Sequence, residues 1–298
     1  MQNQNYLKEE EKMEFKQNPL QEAMLKDIRD MKIQTLNWND EQYFSDKEYL
    51  TNSMLSMISK GGVKHLQNYL INGNVQKKHN DVGNHFHTIV LEPDKVKDRF
   101  FVLDDRKIII TLQAEGSKNP RATNKYKDWR TEQLSEAKGR IIIDYDDHYN
   151  NECMANELNS HRAIRELIAS QDNLFEKVYH DVDGKIKRKG KIDIRNFGNY
   201  IADLKGSRDP ITPQTIRSTI IKYGYDRQAA YYCDLTGEEQ FYFVMIEKTY
   251  PFTCGIVEMS AEALKTGREK YQRLQNIYRE FFVDKVKDPD KYFLMDTF

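Results

Sequence analysis

The stretch KIDIRNFGNYIADLK, residues 191–205, decides both the fold and the chemistry that we predict for this chain. It is typical of two short strands joined by a turn, because alternating apolar and charged residues flank an Asn- and Gly-rich segment at 196–199. Strict alternation would place every second side chain on the same face of each strand. If the two strands pair, Asp193 and Asp203 can face one cavity, with Lys205 beside them.

Two carboxylates and a lysine in one cleft are the groups that a divalent-metal phosphodiesterase site requires. Hard oxygen ligands hold Mg²⁺, and a cation or base helps to position the attacking water. The plainer interpretation is that these are ordinary surface residues, because Asp-x-Lys occurs by chance in many proteins. The other motifs of the chain therefore have to decide between the two interpretations.

Composition narrows the class of protein. The chain has 298 residues, of which 39% are hydrophobic and 31% charged, as expected for a soluble globular protein. No apolar run approaches the ~20 residues that span a bilayer, and the N-terminal sequence lacks the apolar core of a signal peptide. We expect no membrane partner. The net charge of -1 means that any basic surface for nucleic acid has to be local.

The cysteines exclude common cysteine-based metal centres. Cys153, Cys233 and Cys254 lie far apart and form no CxxC pair. A zinc ribbon or a four-cysteine iron–sulfur cluster is therefore not expected. This usage fits a reducing cytoplasm, and we expect a cytoplasmic location in a bacterial host cell.

Hydrophobic periodicity predicts an α/β fold with a central mixed sheet flanked by helices. We predict a charged helical N-terminal arm over residues 1–42, one domain over 43–285 and a C-terminal tail over 286–298. Within the domain, the run KIIITL (107–112) is interpreted as a strand. Residues 146–170 are interpreted as one long helix.

Basic residues precede the predicted carboxylates. Lys187, Arg188 and Lys189 belong to the run KIKRKGK and are predicted to bind DNA. A charge run is usually only a solvated face. Beside paired carboxylates, however, it can hold a phosphate backbone.

Two further segments carry candidate site residues. GNHFHTIVLEP (83–93) predicts a helix that ends before Pro93 and contains His87. Taken alone, His87 is best explained as a half-buried packing histidine. A later helix carries Gln228 and Tyr232, which share a face because they are four residues apart.

The ordered set of motifs resembles the RecE-type exonucleases of the PD-(D/E)xK nuclease superfamily, the exodeoxyribonuclease VIII-like group that is common in prophages. The resemblance covers roughly residues 43–285. Its motifs, each weak alone, are NSMLSMISKGG (52–62), GNHFHTIVLEP (83–93), GKIDI (190–194), YIADLKGSRD (200–209) and YGYDRQAAYY (223–232).

The resemblance implies a set of metal ligands. These are His87, Asp193 and Asp203, with the carbonyl of Leu204 as a possible addition. The implied ion is Mg²⁺, which Mn²⁺ can replace, and the cluster-free branch of the superfamily is implied by the cysteine pattern.

The resemblance also assigns roles to three other side chains. Lys205 would orient or activate water or stabilise the phosphate. Gln228 and Tyr232 would help to position Lys205 and the DNA.

The implied activity is digestion of linear duplex DNA, 5′ to 3′, leaving a 3′ single strand for a RecT-like phage annealing protein. A homo-oligomeric ring around the DNA is implied as well. Two alternatives stay open: a PD-(D/E)xK endonuclease of restriction or repair type, and a catalytically inactive DNA-binding recombination accessory protein. The His87 segment and the Gln228 helix favour the exonuclease. A phage structural or interaction protein is a further, plainer alternative.

Overall fold

The computed structural model describes residues 34–73 and 78–292. Its strands, in chain order, are β1 (Gln34–Leu36), β2 (Phe100–Leu103), β3 (Ile141–Asp144), β4 (Asn173–Asp183), β5 (Ile186–Asn196), β6 (Tyr200–Ser207), β7 (Phe241–Glu247) and β8 (Cys254–Glu258).

Helices precede the sheet in the chain and also follow it. They are α1 (Asp40–Ser45), α2 (Asn52–Gly61), α3 (Val63–Asn72), α4 (Lys78–Leu91), α5 (Val96–Arg99), α6 (Arg106–Ala114), α7 (Asn124–Glu136), α8 (Tyr145–Ser160), α9 (Arg162–Ile168), α10 (Pro213–Tyr223), α11 (Tyr225–Thr236) and α12 (Ala261–Tyr278). No helix of the described ranges is long and apolar enough to cross a membrane.

A six-stranded mixed sheet forms the centre, in the order β1-β4-β5-β6-β7-β8. Strands β6 and β7 run parallel, and the other neighbours in this sheet are antiparallel. Strands β2 and β3 form a separate parallel pair. The predicted mixed sheet flanked by helices is therefore confirmed.

Both faces of the sheet are covered by an apolar cluster. One cluster joins α2, α3, α11 and α12 to the sheet, with Phe241 and Phe243 fully buried. The other joins α4, α8 and α9 to the opposite face, where Ala202 and Val244 lie. A sheet that is buried on both faces needs apolar residues at successive positions, as the strand FYFVMI has.

The hairpin predicted over residues 191–205 is confirmed. Strands β5 and β6 are antiparallel, with Ile194 opposite Ala202 and Asn196 opposite Tyr200. The same register, carried one residue further, sets Asp193 level with Asp203. At this position a side chain takes the place of a backbone acceptor. The Leu204 N–H donates a hydrogen bond of 2.9 Å to Asp193 Oδ2.

Strict alternation fails at Asp193, however. Ile192 packs in the cluster of α11 and α12, whereas Ile194 packs in the cluster of α4 and α8. The residue level with Asp193 on β4 is Glu176, which has a φ of 54° and is absent from the regular β4–β5 register. The irregular backbone shifts the side-chain phase by one, so that Ile192 packs on the face opposite to that of Ile194, while Asp193 keeps the face of Asp203 that the β5–β6 register gives it.

Two secondary-structure predictions were wrong. The run KIIITL lies in helix α6, where Leu112 is buried and Ile110 is 66% exposed. A short apolar run fits a strand or a helix equally well, and here the strand is the preceding segment FFVL. The predicted helix over 146–170 is two helices, because His161 has an extended backbone between α8 and α9.

The predicted terminal segments differ in part from the structure. Residues 34–36 of the predicted helical arm form β1, which pairs with β4, and residues 1–33 lie outside the described residues. In the predicted tail, residues 289–291 form a 3₁₀ turn whose Asp290 accepts a hydrogen bond from Gln67. The remainder of the tail, 293–298, also lies outside the described residues.

Helix α12 crosses the start of α11 with almost no space between the backbones. A Cβ added to Gly267 would lie 2.0 Å from the carbonyl oxygen of Asp226. We predict that Gly267→Ala lowers the free energy of unfolding by about 1–3 kcal/mol, because the helices have to move apart. Chemical denaturation of wild type and variant measures the difference.

Gly83→Ala is the matched control for this prediction. Gly83 also lies inside a helix, but an added Cβ there meets no atom within 4 Å. This change should raise stability by up to about 1 kcal/mol, the difference in helix propensity. Equal effects of the two substitutions would contradict the close crossing at Gly267.

Candidate active site

Every residue predicted from the sequence to take part in catalysis or metal binding lines one of two adjoining clefts beside the sheet. A cleft of about 820 Å³ opens between the sheet, α1, α4 and α11. Of the predicted residues, it is lined by His87, Asp193, Asp203, Lys205, Gln228 and Tyr232. A second cleft of about 650 Å³ adjoins it, and this one is lined by His87, Leu204 and Lys205.

His87 enters the cleft from α4, which ends before Pro93 as predicted. Its Nδ1 lies 3.4 Å from Asp193 Oδ2 and 3.8 Å from Glu176 Oε1. Burial disfavours the imidazolium, but the two carboxylates outweigh this effect and raise the pKa of His87 to about 10. The protonated, positively charged form of His87 is therefore strongly favoured.

Asp203 is the most buried acid of the cleft, with 3% of its surface exposed. Burial, and the charge of Asp193, raise the pKa of this carboxyl to about 6 in spite of the neighbouring Lys205 ammonium. Its Oδ1 accepts a hydrogen bond of 2.6 Å from Gln228 Nε2. Its Oδ2 contacts Lys205 Nζ but, within the described residues, accepts no hydrogen bond.

Asp193 behaves differently although it lies beside Asp203. Burial acts to raise its pKa, but the charges of His87 and Lys205 and the Leu204 N–H lower it below the usual value. The two carboxylates thus hold protons with unequal strength. Such a separation is typical of functional carboxylate pairs.

Lys205 is fixed by its surroundings. Its Nζ pairs with Asp203 and lies 5.3 Å from the centre of the Tyr225 ring and 5.8 Å from that of Phe243. Burial acts against its charge, but Asp203 and Asp193 raise the pKa above the usual lysine value. The ammonium is therefore charged at neutral pH and held next to the carboxylates.

Helix α11 supplies the remaining predicted side chains. Gln228 and Tyr232 lie one turn apart and both line the cleft, which confirms that they share a face. Burial and the nearby carboxylates raise the pKa of Tyr232 well above its ordinary value. Its hydroxyl is therefore neutral and able to donate a hydrogen bond.

Sequence reasoning missed Glu176. Its Oε1 faces His87, its Oε2 pairs with Lys191, and 12% of its side chain is exposed. A positive φ in a residue other than glycine is strained, and such strain is often found at functional sites. The sequence held a usable signal, because the Asp183–Gly184 turn predicts a β4–β5 register in which Glu176 is level with Asp193.

The cleft suits a hard divalent cation. His87, Glu176 and Asp193 each offer a ligand atom, and the three atoms lie within 4.8 Å of one another. Oxygen donors with one imidazole match the preferences of Mg²⁺ and Mn²⁺. The buried Asp203 Oδ2, which pairs with the Lys205 ammonium, faces the same cleft. Asp203 and the Leu204 carbonyl stay predicted ligands.

The predicted DNA-binding run needs correction at two of its three positions. Arg188 is 6% exposed and pairs with Asp181, and Lys189 is 1% exposed. The Lys189 ammonium donates to the carbonyl oxygens of Tyr43 and Asp46 at 2.7 and 3.0 Å. Buried and fully partnered cations cannot reach a phosphate backbone. Lys187 is exposed and pairs with Glu48, so its predicted contact with DNA stays a prediction.

Comparison with known proteins agrees with this geometry. Residues 53–290 match the model of a PDDEXK-like domain of unknown function (DUF3799). The chain belongs to this family. The predicted PD-(D/E)xK fold is thereby confirmed, and the family match spans all the predicted site residues that line the cleft. Among curated proteins, no sequence matches the chain.

A likeness to a solved structure supports the same fold. The crystal structure of a protein from Eubacterium rectale, named a putative exonuclease, superposes with a TM-score of 0.52. The alignment covers 88% of this chain and 96% of that one at 14% identity, so that it shows a common fold. The structure of SSO0001 aligns over 74% of this chain and 98% of its own, at 13% identity and a TM-score of 0.29, which is too low to support an argument.

Cation binding should displace a proton from His87. With a pKa of about 10 the imidazole is protonated at neutral pH, whereas a metal ligand has to be neutral. Mn²⁺ binding at neutral pH should therefore release about one proton, and apparent affinity should rise with pH below about 10. Calorimetry in two buffers of different protonation enthalpy measures the release.

His87→Ala tests the assignment directly. The variant should bind Mn²⁺ more weakly and release about one proton fewer than wild type. Equal affinity and equal proton release would mean that His87 is a packing residue, as its sequence position alone suggested.

Proposed function

We propose that this protein is a divalent-metal-dependent deoxyribonuclease that acts as an exonuclease on linear duplex DNA. The observation that carries the proposal is the convergence of Asp193, Asp203 and Lys205 with His87 in one cleft. Membership of a PDDEXK-like family supports it. The fold shared with a protein named a putative exonuclease supports it further.

The chain's carboxylates and imidazole would hold the ion. His87, Glu176, Asp193 and Asp203 are the ligands that we propose, with substrate oxygens and water completing the shell. A bound Mg²⁺ would lower the pKa of a water molecule and neutralise charge on the scissile phosphate. The sequence motifs and the cleft do not require a cofactor beyond this.

The other side chains would position the reacting groups. Gln228 fixes the orientation of Asp203 through its amide. Asp203 and the ring of Tyr225 hold the Lys205 ammonium in place. Lys205 would then orient the attacking water or stabilise the negative charge that develops on the phosphate, as a preorganised cation does.

The polarity of digestion and the biological role that we propose rest on the ordered sequence motifs. Their resemblance to RecE-type exonucleases supports 5′ to 3′ polarity, a role in phage-type recombination and delivery of a 3′ single strand to a RecT-like annealing protein. The His87 segment and the Gln228 helix favour a RecE-type exonuclease over an endonuclease. All the acidic positions and the lysine are present, which favours an enzyme over an inactive DNA-binding accessory protein.

Incubation with DNA and Mg²⁺ tests the proposal. We predict degradation of linear duplex DNA and no cleavage of covalently closed circles. Asp193→Asn and Asp203→Asn should abolish degradation, because an amide is a much poorer ligand for Mg²⁺ than a carboxylate. Lys205→Ala should slow it by about 10²–10³-fold, the usual loss on removal of a group that stabilises developing charge.

Substitutions outside the cleft provide matched controls. Asp172→Asn and Lys265→Ala change exposed residues of the same types and should leave degradation unchanged. Nicking of circles would support the endonuclease instead. Full activity in either cleft aspartate variant would contradict the assigned site.

A further inference from the structure

A third cleft lies beyond Lys205, where β6 and β7 end side by side. Its volume is about 430 Å³, within the usual range for ligand sites. Arg208 follows β6 and Lys248 follows β7, and both line this cleft together with Lys205. The Lys248 side chain lies across Gly206, since a Cβ added there would be 2.6 Å from Lys248 Cε. The cleft is thus continuous with the candidate active site.

In the active site, His87, Lys191 and Lys205 pair with carboxylates. Two cations of the third cleft differ in this respect. Within the described chain, neither Arg208 nor Lys248 pairs with a carboxylate, and the one acidic residue of the lining is Asp209. Burial and the charge of Arg208 lower the pKa of Lys248. Like charges held close together repel each other, so a bound anion would stabilise this arrangement.

An aromatic stack forms another wall of the same cleft. The rings of Tyr223 and Tyr225 stack at 5.6 Å and 25°, and Tyr225 packs on Phe243 at 5.1 Å. Tyr223 ends the stack with 41% of its surface exposed. Lys60 and Lys222 lie 5.3 and 5.2 Å from its ring centre and add positive charge at this end.

We propose that this cleft binds a nucleotide of single-stranded DNA adjoining the scissile phosphate. Arg208 and Lys248 hold the backbone phosphate, and the base packs against Tyr223. Within a duplex both faces of a base are covered by the neighbouring bases, so the combination of cations and an aromatic wall favours a single strand. The inference rests on the proposed nuclease function and deepens it by naming the form of DNA next to the site.

Equilibrium binding tests the charged part of the cleft. A fluorescein-labelled single-stranded oligonucleotide is titrated in Ca²⁺ against protein carrying Asp203→Asn, so that no cleavage interferes. Adding Arg208→Gln and Lys248→Gln should weaken binding and reduce the salt slope of log K by about 1.4, since each lost contact to a single strand removes about 0.7. An unchanged slope would overturn the phosphate assignment.

Tyr223 is tested in the same assay and the same Asp203→Asn background. Tyr223→Ala should weaken single-strand binding about five- to a hundredfold without changing the salt slope, whereas Tyr223→Phe keeps the ring and should bind normally. Tyr250→Ala is the matched control, because Tyr250 is 87% exposed and lies outside the lining of this cleft. Its affinity should not change.

Three results would overturn the aromatic assignment. They are unchanged affinity in Tyr223→Ala, a loss confined to Tyr250→Ala, and an equal loss of blunt-duplex binding in Tyr223→Ala. Thermal melting confirms that each variant is folded. Because binding is measured without hydrolysis, an inactive wild type with the expected binding changes would contradict the nuclease proposal alone.

Discussion

Buried negative charge in one cleft is the constraint on which the rest of this structure depends. Ionised carboxylates lose solvation on burial, and like charges at short range repel, so they need cationic partners. The three acids are Asp193, Asp203 and Glu176, and the groups that balance them are His87, Lys205 and Lys191. Lys205 lies on the same strand as Asp203, whereas His87 and Lys191 reach their acids from α4 and β5. A divalent cation would compete with these groups for the same oxygens. Burial disfavours the imidazolium, and the charges of Asp193 and Glu176 outweigh this effect, so that the pKa of His87 is raised to about 10.

The fold assembles these charges with short, ordinary elements. A hairpin of β5 and β6 brings two acids level, β4 adds the third, α4 supplies the imidazole, and α11 supplies the amide that fixes Asp203. The apolar clusters on both faces hold the sheet, and the close crossing at Gly267 fixes α12 against α11. The acids of the candidate site thus lie together in one opening between the two apolar clusters.

Much of this arrangement was predictable from local pattern. The hairpin follows from alternation and turn residues, and its register brings Asp193, Asp203 and Lys205 together. Glu176 was missed because alternation does not encode the positive φ at this residue, which interrupts the regular β4–β5 register. The basic run was misjudged at Lys189, since a charge in the sequence does not show whether its side chain is buried against backbone carbonyls. The strand predicted for KIIITL was wrong because a short apolar run shows no periodicity that distinguishes a strand from a helix.

The account's central claim is that these side chains form one metal centre, and anomalous diffraction from crystals soaked in Mn²⁺ tests it most directly. The predicted result is a Mn²⁺ peak in the cleft, bound by His87, Glu176 and Asp193 and facing Asp203. A matched crystal of Asp193→Asn should lose the peak or show it at much lower occupancy. A peak elsewhere, or none in the cleft at a Mn²⁺ concentration that supports DNA degradation, would contradict the account.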